Sequence, residues 1–175
     1  MERLEKREYR RAAQVFAEGF VSDPAFSFVL QGIAEPTKVL EKYFFNYIQE
    51  CKELLLYKCA DAEGYLCIYR FDTEFADFEV PTPMEKLEQF AVLEKQYQSD
   101  FAVLDILAVE SQSRGKGLAG KMVDFFIKYC LGENLTPLVE VFSDQHLKLY
   151  LSRGFEITYR REHQGVTTYI LEYKK

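Results

Sequence analysis

An apolar run that passes directly into an Arg-Gly-Lys-Gly turn and then a helical pattern restricts this chain more than any other feature. It lies at Val103 to Met122 and reads VLDILAVESQSRGKGLAGKM. A strand that ends on glycines and hands over to a helix gathers unpaired backbone N–H groups and the positive end of a helix dipole around one small space. The glycines let the backbone approach a guest closely. The guest expected of such a turn is an anion, in the first place a phosphate or pyrophosphate.

Two familiar phosphate-binding patterns fail on spacing. No Lys-Ser or Lys-Thr follows a second glycine as a Walker loop requires, and Gly115, Gly117 and Gly120 form Gly-x-Gly-x-x-Gly only by letter count. A dinucleotide fold needs that fingerprint after its first strand and an acidic residue ending its second. Glu140 falls at the right distance, but it sits inside the apolar run Leu138 to Phe142, and too little chain remains for a six-stranded sheet.

The same turn read as Arg114-x-x-Gly117-x-Ala119 resembles the coenzyme A motif of the GNAT superfamily of N-acetyltransferases. The resemblance continues in order. Leu104 to Val109 is similar to the family's bulged fourth strand, Leu138 to Phe142 to its fifth, and SDQHLKLYLSRGF from Ser143 to Phe155 to its closing helix with a Tyr-x-x-x-Gly-Phe ending. The fold this implies is an α+β three-layer sandwich, a mixed and mostly antiparallel sheet of about six or seven strands flanked by helices. It spans 1–175 as a single domain with a short or displaced first strand.

Composition limits the alternatives. A chain of 175 residues, 48% of them hydrophobic, is long enough to bury one sizeable core. The start, MERLEKREYRR, is a charged helical pattern rather than a secretion signal, and no apolar stretch is long enough to span a bilayer, so a soluble cytoplasmic protein is expected. Cys51, Cys59, Cys67 and Cys130 are widely spaced and read as reduced core thiols. A net charge of -6 argues against nucleic acid as a partner and does not exclude an anionic cofactor, because distant exposed charges are screened while Arg114, Lys116 and Lys121 act locally.

Periodicity predicts helices over Glu5 to Phe20, Thr37 to Cys51, from Pro83 to about Tyr97, after Gly117 to Gly132, and over Asp144 to Arg153. Asp23-Pro24 marks a turn or a short helix start. Strands are expected at Leu54 to Ala60 and Tyr65 to Phe71, joined by a turn at Asp61 to Gly64, and at Phe155 to Arg160 paired with Val166 to Tyr173.

By position, the resemblance implies that the backbone of Arg114, Gly115, Lys116, Gly117, Leu118 and Ala119 holds the pyrophosphate of acetyl-coenzyme A. Leu107, Ala108 and Val109 would take its pantetheine arm, and Ser143, where the family often has Asn, would cap a helix and meet the same arm. Tyr150 is the expected general acid to the departing thiolate, since a phenol is protonated at neutral pH. Asp105 and Glu140 are candidate bases, each also readable as a strand carboxylate facing solvent. His146 shares a helix face with Tyr150 and His163 lies in a turn; neither is assigned a role. The implied reaction is direct attack of an amine on acetyl-coenzyme A, with no metal and no membrane. The rival from another class is a domain that binds acyl-coenzyme A without turnover. The acceptor is not readable, its walls being expected from Asp23 to Leu30, Phe71 to Pro83 and the last hairpin; the oligomeric state, a homodimer included, is open.

Overall fold

The computed structural model describes residues 1–59, 62–93, 97 and 100–174. In chain order its elements are β1 (Glu2–Arg3), α1 (Tyr9–Phe20), α2 (Pro24–Val29), α3 (Pro36–Glu50), β2 (Leu55–Cys59), β3 (Ala62–Arg70), a 3-10 helix (Thr82–Gln89), β4 (Phe101–Val109), α4 (Leu118–Gly132), β5 (Thr136–Val141), α5 (Asp144–Leu151), β6 (Phe155–His163) and β7 (Val166–Tyr173). The strands form one seven-stranded sheet in the order β1-β2-β3-β4-β5-β7-β6. Neighbours run antiparallel except β4 and β5, which are parallel. This is the sandwich expected of the sequence, and its first strand is indeed short.

Each face of the sheet has its own core. Helices α1, α2 and α3 cover one face, where Phe16, Phe26, Leu40, Phe44 and Ile48 meet Cys67, Val103, Ile106 and Ala108. Helices α4 and α5 cover the other, where Met122, Val123 and Phe126 meet Leu66, Ile68, Leu104 and Val139. The apolar positions of α1, Ala12, Ala13, Val15, Phe16 and Ala17, recur at helical spacing and are all buried. Phe16 meets Phe44 edge-on at 5.7 Å. Each fully buried ring of this kind contributes about 1.5–3 kcal/mol. Gly19 allows the close approach of α1 to β4, because a Cβ there would lie 3.1 Å from that of Ala108.

Three expectations are corrected. The helix predicted from Glu5 opens as a 3-10 turn over Lys6–Glu8 and α1 starts only at Tyr9, while the start of MERLEKREYRR, read as helical, holds a strand in which Glu2 and Arg3 pair with Lys58 and Tyr57. The four-residue turn at Asp61 to Gly64 is shorter, since Cys59 pairs with Ala62 and the strand has already resumed at Ala62; Ala60 and Asp61 lie outside the described residues. The helix predicted from Pro83 to about Tyr97 is a 3-10 helix ending at Gln89, and Glu94 lies outside the described residues. Tertiary contacts override its periodicity. Phe90 is fully buried between Phe28 and His163, its carbonyl accepts from Thr168 Oγ1, and the next N–H groups turn to the sheet. Elsewhere only the ends move: α5 stops at Leu151 and β6 runs on to His163. The four cysteines are free thiols. Among the described residues no helix is long and apolar enough to cross a membrane.

Candidate active site

Two irregularities in β4 create an opening. Cys67 pairs with Ile106 and Ile68 with Leu104, so Asp105 is an extra residue, a β-bulge. The bulge exchanges the faces of the strand. Before it Val103 points to the α1 side and Leu104 to the α4 side, whereas after it Ile106 and Ala108 take the α1 side. The parallel ladder to β5 runs from Phe101↔Thr136 to Val103↔Leu138. Beyond it β5 pairs with β7, and Leu107, Ala108 and Val109 pair with β3 alone. Alternate backbone groups of these three residues therefore face a gap between β4 and β5.

Asp105 and Glu140 stand at the mouth of the gap. Val103 is paired with Leu138, so two residues farther along each strand Asp105 and Glu140 lie on the same, α1-side face. Tyr47 of α3 donates its hydroxyl to Asp105 Oδ2 at 2.8 Å. Glu140 Oε1 accepts the backbone N–H of Val92 at 2.7 Å and of Leu93 at 3.2 Å. Burial lifts the Glu140 carboxyl to about 7; the two N–H bonds oppose the rise, and the charge of Asp105 adds to it. Glu140 thus anchors a segment of chain and also carries a titration near neutrality.

The glycine turn follows β4. Gly115 and Gly117 have φ of 78° and 76°, the left-handed region that a side chain resists. Gly117 is the N-cap of α4 and no side chain caps that helix, so the first N–H groups, those of Leu118 and Ala119 among them, are left for a guest. No acidic residue lies in the first turn of α4. Arg114 Nε bonds the carbonyl of Val109 at 3.2 Å, which folds the guanidinium back over the end of β4. Lys116 Nζ reaches Ser113 Oγ at 3.4 Å. The entry to the turn is fixed by Glu110, whose side chain is 4% exposed and ion-paired with Arg11 of α1, with Gln112 Nε2 on its other oxygen at 3.1 Å. This pair escaped the sequence reading, since nothing local links residues 11 and 110.

On the α4 side, Ser143 caps α5 by accepting from the N–H of Gln145 at 3.2 Å, as expected of it. Tyr150 is 8% exposed and packs edge-on against Phe155 at 5.7 Å. Its hydroxyl has no hydrogen-bond partner among the described residues, and burial pushes its pKa well above the usual range. It is a protonated donor with its bonding capacity unspent. His146 is exposed, and His163 bonds Gln89 Oε1 at 3.3 Å. Phe28 and Gln164 line one open depression of about 600 Å³, together with Glu85, Lys86, Glu88 and Gln89 of the 3-10 helix.

By sequence the chain matches no protein-family model and no curated relative. By structure it is similar to histone acetyltransferase HPA2 and related acetyltransferase from Corynebacterium glutamicum, at 16% identity and a TM-score of 0.73 over 97% of this chain and 92% of that one. Arylalkylamine N-acetyltransferase 2 from Aedes aegypti is similar at 15% identity and a TM-score of 0.68 over 98% and 96% of the two chains. The NatC complex bound to Gag peptide and coenzyme A is similar at 16% identity and a TM-score of 0.54 over 99% and 98%. The chain therefore has the fold of the GNAT N-acetyltransferases.

Proposed function

We propose that this protein is an N-acetyltransferase that transfers the acetyl group of acetyl-coenzyme A to a primary amine of a small molecule or protein. The observation that carries the reading is the gap between β4 and β5, with the glycine turn and uncapped α4 at one end and Asp105 and Glu140 at its mouth. Bound there, acetyl-coenzyme A would supply an activated acyl carbon and a thiolate leaving group. Its pyrophosphate would be held by the backbone from Arg114 to Ala119, its arm by Leu107, Ala108 and Val109, with Ser143 beside it. Glu140, titrating near 7, accepts the proton of the acceptor ammonium, and Asp105 holds the cation beforehand. A backbone N–H of β4 polarises the carbonyl. Tyr150 offers its unspent O–H to the sulfur.

Release of free thiol from acetyl-coenzyme A with an amine panel tests this. Steady release that depends on an amine is expected. Tyr150→Phe should lower kcat by about 100-fold or more, the lower end of what a positioned acid contributes, with coenzyme A affinity unchanged. Tight coenzyme A binding with no release across the panel would assign the rival role of a binding domain.

A further inference from the structure

Segment 71–80, between β3 and the 3-10 helix, reads FDTEFADFEV and contains four carboxylates and no Lys or Arg. Its aromatic side chains face those of α3. Tyr43 and Tyr47 stack at 6.4 Å with planes 3° apart, and Tyr47 stacks with Phe75 at 6.3 Å and 12°. Phe78 closes on Tyr47 at 5.6 Å and on Tyr43 at 5.8 Å, while Tyr69 meets Phe75 edge-on at 5.2 Å. The result is a row of nearly parallel rings. Its outer member, Phe75, is 44% exposed, and its middle member, Tyr47, hydrogen-bonds Asp105 at the mouth of the gap.

We propose that the acceptor is a small primary amine with one positive charge and an aromatic or bulky apolar body. Its ammonium is directed to Asp105 and Glu140, and its body lies against exposed Phe75 and half-buried Phe78, with Tyr47 buried beneath them. This names the acceptor class within the acetyl-transfer reading and rests on it. Exposed ring surface at Phe75, joined through buried Tyr47 to the Asp105 carboxylate, matches that shape, since a ring face attracts the cation as it enters and apolar area rewards the body behind it. The acidic segment favours a cation over an anion. Two of its four carboxylates are already held, Asp72 by Arg70 and Glu79 by Lys42.

The test compares 2-phenylethylamine, n-hexylamine, spermidine and a short peptide with a free N-terminus in the thiol-release assay, with wild type and Phe75→Ala. Phe75 is 44% exposed and packs on Tyr47 and Tyr69 from outside; an unchanged melting curve verifies that the fold is kept. The result expected is the highest kcat/KM for 2-phenylethylamine, and a roughly ten-fold loss for that amine in Phe75→Ala with KM for acetyl-coenzyme A unchanged. Preference for spermidine or the peptide, or an equal loss for every amine, overturns the inference and leaves acetyl transfer standing. Should coenzyme A fail to bind, the acetyl-transfer reading fails on its own. Calorimetric binding of 2-phenylethylamine, weakened in Phe75→Ala, then still decides the ring site, and absence of binding overturns it.

Discussion

Replacing Glu140 by Gln isolates a charge that the fold holds at a cost. The amide oxygen of Gln can accept the same two N–H bonds, from Val92 and Leu93, so the geometry is kept and only the titration is removed. In the folded protein the carboxyl is lifted from the usual 4.5 to about 7, by burial first. Between these values the folded chain holds a proton that the unfolded chain has lost. The stability contributed by this group is therefore complete below about 4.5 and is lost as pH rises through about 7. At about 1.36 kcal/mol per pH unit the difference is roughly 3 kcal/mol, and partial exposure of the carboxyl reduces the expected figure to about 2 kcal/mol. Urea unfolding at pH values from about 5 to about 8 measures it. Wild type should lose ground to Glu140→Gln by that amount across the range. Asp23, lifted by burial to about 6, titrates in both proteins and cancels in the difference. Parallel profiles, constant to within about 0.5 kcal/mol, would refute the argument. The kcat/KM of wild type should rise through about pH 7, and the variant should lack that limb.

Two further substitutions test the donor end. Gly117→Ala places a Cβ in open space but at φ 76°, so it should cost about 1–2 kcal/mol from the left-handed backbone and weaken coenzyme A binding about ten-fold, read by calorimetry. Arg11→Met removes the guanidinium from the buried Glu110 carboxylate ahead of the turn; a stability loss of about 1–3 kcal/mol and a KM for acetyl-coenzyme A raised more than kcat is lowered are expected from chemical unfolding and steady-state rates.

The segments proposed to hold the donor were legible in the sequence because they are contiguous. A strand, a glycine turn with positive φ and an uncapped helix follow one another within twenty residues, and their local chemistry dictates their form. The fold order followed from the family resemblance, although the first strand, expected to be short or displaced, fell in a stretch read as helical. What escaped was built by contacts between segments distant in the chain. The strap from Gln89 to Leu93 takes its form from Glu140, Thr168 and His163, so helical periodicity misread it. Only the bulge at Asp105 left a sequence trace, in that Val103, Ile106 and Ala108 share a face only if one residue is skipped. The proposed acceptor side belongs wholly to the nonlocal class. Tyr47 reaches Asp105 from α3, and Phe75 reaches Tyr47 from a segment without regular structure. The exposed ring of Phe75 is under weaker packing constraint than the turn. On the acetyl-transfer reading, substitutions at Phe75 therefore change which amine is preferred while the turn proposed to hold the donor stays as it is.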